Sequence, residues 1–166
     1  MTYNNGLRPQ EPQVPQDAPG KRILQATSIL LIVFGGFVLI DGVWVFRFFL
    51  WNFAQDPLFR SDFLSTFDIL FIIFLIFFPV LHILAGIAGI KNCNNTEKAG
   101  KLRGLGVACA ASELIGTAGA LIRFGGTLDT TVATVLATVV SLALLLAYLS
   151  GAQKNLAAQR EQILTV

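Results

Sequence analysis

Four long apolar runs leave this chain very few ways to fold. An α-helix needs about 20 apolar residues to cross the ~30 Å hydrocarbon layer of a bilayer. Residues 23–50, 64–90, 104–122 and 132–152 each meet that requirement. Backbone amides and carbonyls find no water in hydrocarbon, so each run must satisfy its own hydrogen bonds as a helix. A membrane β-barrel would alternate polar and apolar residues over ~10-residue segments, and no stretch here does so. Composition excludes a soluble home for the runs. Of 166 residues, 54% are hydrophobic and 13% charged, against about 25% charged in soluble domains. A chain this short has too little interior to hide that much apolar surface from water.

The expectation is therefore an all-α, polytopic membrane protein, a four-helix transmembrane bundle over residues 21–153. A polar tail, residues 1–20, precedes it, and a short tail, residues 154–166, follows. Lys21 and Arg22 give the first run a basic flank, as in a secretory signal. The run is about twice the usual signal length, however, and no small-x-small cleavage site follows it, so it should stay attached.

Basic residues set the orientation, because cytoplasmic loops carry the excess of Lys and Arg. Arg8, Lys21, Arg22, Lys91, Lys98, Lys101, Arg103, Lys154 and Arg160 fall on one side of the expected bundle, and Arg47, Arg60 and Arg123 on the other. That asymmetry predicts both termini in the cytoplasm. It also accounts for the net charge of +2 without a nucleic-acid partner. Cys93 falls in a cytoplasmic loop and Cys109 within the third helix, so both are expected as free thiols. One His and two scattered Cys make no metal-ligand set.

Texture changes along the chain. In the first 20 residues Pro9, Pro12 and Pro15 recur every third position, a spacing that suits polyproline II. Such a tail is either a ligand for a proline-binding module or, as its polar composition favours, disordered. All the Phe residues but Phe124 lie between Phe34 and Phe78, which makes helices one and two bulky. Helices three and four are rich in Ala, Gly, Thr and Ser. Gly86 and Gly89 end helix two, and Gly104 and Gly106 begin helix three. Small residues let membrane helices approach closely, so this hairpin is expected to pack tightest there. Thr130, Thr134 and Thr138 share one face of helix four beside Ser141. Trp44, Trp51, Phe53, Phe59 and Phe63 suit an aromatic belt at the outer membrane surface.

Asp41, Arg47, His82 and Glu113 are out of place in hydrocarbon. A charged side chain at a helix centre costs about 2.5–3.5 kcal/mol on insertion scales, which ~20 apolar neighbours outweigh. The cost does predict that such groups face protein or water rather than lipid. Glu113 lies midway between Arg103 and Arg123, near the expected midplane. His82 lies on the antiparallel second helix at a similar depth, so a Glu113–His82 hydrogen bond is expected. Arg123 could bend its stem inward toward Asp41. Glu113, His82, Asp41 and Arg123 thus form the candidate intramembrane polar site. Its two readings are a proton-coupled site with His82 as relay, and a buried hydrogen bond that locks the bundle.

No nucleophile elbow, phosphate loop, zinc signature or nucleotide fingerprint occurs in the sequence. Neither catalytic nor cofactor-binding residues are expected, and the chain is read as a non-enzyme.

Two segments add a resemblance. Residues 85–110 (AGIAGIKNCNNTEKAGKLRGLGVACA) and 146–158 (LAYLSGAQKNLAA) resemble uncharacterised small four-helix membrane proteins of Gram-positive, Clostridia-type bacteria. These share a polar Pro/Gln/Asn-rich N-terminal tail and a G-I-x-x-x-x-x-x-E-K-A turn. Here that turn runs from Gly89 and Ile90 to Glu97, Lys98 and Ala99. The resemblance implies the same topology in a bacterial cytoplasmic membrane and supplies no activity. Small multidrug transporters are similar in being four-helix chains with one membrane carboxylate, but theirs lies in the first helix. The expected function is a structural or accessory subunit, its partners the lipid bilayer and a second copy or another membrane protein. The alternative is a homo-oligomeric, proton-linked carrier of small molecules that uses Glu113.

Overall fold

The structure, a computed structural model, describes residues 17–55, 66–124 and 128–164. These residues form four α-helices and one 3-10 turn: α1 (Lys21–Gln55), α2 (Thr66–Asn92), the turn (Thr96–Lys98), α3 (Ala99–Phe124) and α4 (Leu128–Leu164). No strand occurs among them. Three helical stretches are long and apolar enough to cross a membrane: Lys21–Gln55, Thr96–Ile122 and Thr131–Leu164. The fourth apolar helical stretch, Ile76–Asn92, is shorter.

The helices close into a ring in which α1 packs on α2, α2 on α3, α3 on α4 and α4 on α1. Neighbouring helices run antiparallel, as paired positions along them show. Gly86 of α2 sits against Ile32 of α1, and Gly35 of α1 sits against Pro79 of α2. Gly106 of α3 meets Leu149 of α4, while Thr117 of α3 meets Thr138. The diagonal between α2 and α4 is bridged by side chains, including the Tyr148 hydroxyl, which donates to the Ala85 carbonyl at 3.2 Å.

Among the described residues, the buried hydrophobic cluster lies toward the end of the ring that holds Gly20 and Asn155. Leu24, Leu31, Ala85, Leu102, Cys109, Leu145, Tyr148 and Ala152 form a single buried cluster. Small residues make it compact. At Gly20 an added Cβ would collide with the Gly151 carbonyl, so α1 and α4 meet here almost backbone to backbone. At Gly89 a Cβ would collide with the Ser28 hydroxyl and the Tyr148 ring. Where lipid supplies no hydrophobic drive between helices, such close contact is what holds them together. The expected tight hairpin between α2 and α3 is thus redistributed. Gly86 and Gly89 turn toward α1 and α4, Gly106 toward α4, and Gly104 meets no neighbour.

Asn155 finishes the tight end. It is fully buried. Its Oδ1 accepts from the Gly20 amide at 2.6 Å, and its Nδ2 donates to the Cys93 carbonyl at 2.9 Å. One side chain thus satisfies the first turn of α1 and the chain just past α2, groups that helix termini leave unpaired. The Ala18 amide donates in turn to Asn94 Oδ1 at 2.9 Å, and Asn95 accepts from the Lys98 amide to cap the 3-10 turn. These bonds order residues 17–20, expected as the end of a loose tail; residues 1–16 lie outside the described residues. The expected tail 154–166 continues α4 as far as Leu164. Its Leu-Ala-Ala-Gln-Arg-Glu-Gln sequence favours helix, and Asn155 anchors its first turn.

Candidate functional site

Three helices bring Glu113, Ser141 and His82 together. His82 follows Pro79 by three residues on α2, where its ring lies between two aromatics. The Phe78 ring centroid is 4.4 Å away and that of Phe34, from α1, 6.0 Å away. Gly35 permits this approach, since a Cβ there would come within 2.9 Å of the Pro79 carbonyl oxygen. The Nδ1 of His82 lies 3.1 Å from the Phe78 carbonyl oxygen. A carbonyl only accepts, so Nδ1 carries a proton and the other ring nitrogen faces the rest of the site.

That nitrogen, Nε2, lies 3.2 Å from Ser141 Oγ on α4. Ser141 Oγ lies 2.8 Å from Glu113 Oε2 on α3. Between Nε2 and Oε2 the distance is 3.6 Å, so the serine hydroxyl bridges the acid and the imidazole that the sequence pairs directly. All three residues are buried, His82 and Ser141 completely and Glu113 with 5% of its surface exposed. Cys109, one turn from Glu113 on α3, points its thiol at the Leu81 carbonyl at 3.6 Å.

A second polar rung lies one turn away along the same helix pair. Thr117 Oγ1 and Thr138 Oγ1 are 2.8 Å apart. Thr117 also lies within bonding distance of the Glu113 carbonyl, at 2.8 Å, and Thr138 of the Thr134 carbonyl, at 2.8 Å. Each hydroxyl has one hydrogen, so one threonine donates across the interface while the other donates back along its own helix. Thr138 and Ser141 therefore form a polar seam on α4 that faces α3. Thr130, expected on that seam, lies where side chains are outside the described residues.

Asp41 does not join this group. Asp41 is exposed on the part of α1 far from Asn155, and the Arg123 side chain lies outside the described residues. Arg47 is likewise exposed. Ser141 is the member that sequence reasoning did not place in the site. Its spacing from Thr134 and Thr138, seven and three residues, marks one helical face and is the signal that could have found it. Ser28 carried no such signal, and its buried hydroxyl has no hydrogen-bond partner among the described residues.

The arrangement can hold a proton, accept or donate hydrogen bonds internally, and fix three helices relative to one another. No cluster of three or more metal-ligating side chains occurs among the described residues. Comparison with known proteins finds no matching family model, no matching curated protein and no matching solved structure.

Proposed function

We propose that the chain is an integral protein of a bacterial cytoplasmic membrane, with four spanning helices and both termini in the cytoplasm. It acts without catalysis as a structural or accessory subunit of a membrane assembly. The observation that carries this reading is the internal satisfaction of Glu113: its Oε2 meets the fully buried Ser141 hydroxyl at 2.8 Å. An acid held this way joins α3 to α4 and, through Ser141, to α2. A substrate would have to displace that packing to reach it. The apolar exterior supports membrane residence, with Phe37, Trp44, Phe48 and Trp51 of α1 each at least 67% exposed. The excess of Lys and Arg around residues 91–103 and at both chain ends supports the orientation.

A tagged chain purified from its own membranes under mild detergent tests the role. Glu113→Gln keeps a hydrogen-bonding group of the same shape, so the variant should recover the same membrane partner in the same yield. Loss of the partner from Glu113→Gln, with the fold retained, would overturn the reading. Orientation is tested at Cys93, which is partly exposed and free. A membrane-impermeant thiol reagent should spare it in intact cells and label it in inverted vesicles; labelling in intact cells reverses the topology.

A second reading, a homo-oligomeric proton-linked carrier, draws support from the continuity of the Glu113–Ser141–His82 chain across three helices. It requires the purified chain alone, in vesicles, to couple solute movement to a proton gradient, and Glu113→Gln to abolish the coupling.

A further inference from the structure

The hydroxyl between the acid and the imidazole imposes a count of hydrogens that the heavy-atom distances alone make visible. Ser141 Oγ has two short polar neighbours in the triad, Glu113 Oε2 at 2.8 Å and His82 Nε2 at 3.2 Å, but a single hydrogen. Nδ1 of His82 is committed as a donor to the Phe78 carbonyl. Two arrangements then satisfy every contact. In the first, Nε2–H donates to Ser141 Oγ and the Ser141 O–H donates to the Glu113 carboxylate. In the second, the Glu113 O–H donates to Ser141 Oγ and the Ser141 O–H donates to the bare Nε2. Both contain the same atoms, the same electrons and zero net charge, and both fit the same packing.

We propose that the Glu113–Ser141–His82 triad is a proton-binding site that holds one exchangeable proton and relocates it between Nε2 and Oε2 by reversing two hydrogen bonds at Ser141. Passage from the first arrangement to the second breaks the Nε2–H bond and forms a Ser141 O–H bond. In the same motion the original Ser141 O–H bond breaks and a Glu113 O–H bond forms. Nothing else is consumed, and Ser141 ends as it began. With one proton fewer, Ser141 would face two acceptors and could donate to only one, leaving a buried acceptor unmet. The bound proton thus completes the network.

Aromatic rings flank the imidazole. From α1 the ring is met by Phe34, and from its own helix by Phe78. Of the other titratable groups on the packed elements, the Cys109 thiol of α3 lies near enough to Glu113 to interact with it electrostatically while its hydrogen bond goes to the Leu81 carbonyl, and the Tyr148 hydroxyl of α4 donates to the Ala85 carbonyl. The proposal rests on the bundle reading above for the seclusion of the site.

His82 is the single histidine of the chain, so its imidazole can be observed without assignment. The experiment is 15N NMR of the full chain, labelled at histidine, in lipid vesicles. Nδ1 should give the shift of a protonated nitrogen, and Nε2 should fall between the protonated and unprotonated limits. Glu113→Gln, which removes the acidic end, should move Nε2 to the unprotonated limit. Ser141→Thr, which keeps the hydroxyl, should leave Nε2 intermediate, whereas Ser141→Ala should move it to one limit. An unprotonated Nδ1, or a wild-type Nε2 already at either limit, overturns the proposal. The wild-type spectrum decides this even where a variant fails to fold. Failure of the bundle reading would appear instead in Cys93 labelling and partner recovery, which these resonances do not report.

Discussion

The tight end of the helix ring and the distal half of α1 follow opposite rules. At the end marked by Gly20, Gly89, Gly151 and Asn155, side chains are small and backbones nearly touch. Away from it, α1 carries Phe37, Trp44, Phe48 and Trp51, all turned outward and at least 67% exposed. The tight end holds the buried cluster, the Asn155 clamp and, at its margin, the triad. The distal half of α1 presents broad apolar surface to its surroundings. Hydrophobicity is high in both regions, so it does not decide which one packs. In a solvent as apolar as a leucine side chain, cohesion comes from close dispersion contact and from polar groups that find each other. Bulky aromatics on a helix face keep neighbours at a distance and lose nothing by meeting lipid.

Gly151→Val puts that contrast to its hardest test. A side chain at this position meets the Leu24 backbone amide at 3.0 Å, so the α1–α4 crossing must open. The cost should exceed the ~1–3 kcal/mol typical of overpacking, seen as loss of most of the folded fraction in a detergent unfolding titration. Retention of wild-type stability would show that the tight end tolerates separation. Asn155→Ala should have the next largest effect. It removes one bond to Gly20 and one to Cys93, and leaving buried backbone groups unpaired costs about 1–3 kcal/mol. Asn155→Asp sharpens the result, because the carboxylate still accepts from Gly20 but cannot donate to Cys93, and should recover only part of the loss. Phe37→Ala, on the aromatic face, should change stability least, within ~0.5 kcal/mol as for exposed positions elsewhere. A loss as large as that of Asn155→Ala would mean that this face is covered by protein.

Position along the helices was legible beforehand, for a physical reason. The apolar runs, the antiparallel order of the helices and the placement of Glu113 and His82 near one depth follow from the ~1.5 Å rise per residue and from the spacing of the runs. Depth along an axis is a one-dimensional quantity that a sequence encodes directly. Rotation about that axis is not. The serine that stands between acid and imidazole comes from α4, 28 residues from Glu113 and 59 from His82, and only the packing of the ring brings it there. The same holds for Gly86 and Gly89. Their size announced a close contact, but the partner proved to be α1 and α4 rather than the adjacent helix. Asn155 looked like an ordinary polar residue of a tail, since nothing local marks a side chain whose two partners lie 135 and 62 residues away.

That last separation bears on how the protein is made. Membrane helices can form and insert one at a time, then associate, and a chain emerges from its N-terminus first. The amide of Gly20 leaves the ribosome 135 residues before its acceptor on Asn155, which arrives well into α4. Until then the first turn of α1 and the Cys93 carbonyl both lack the side chain that joins them. Of the four helices α1 is therefore made first and is among the last to have its end tied down, and a chain stopped short of residue 155 lacks the side chain that joins Gly20 to Cys93.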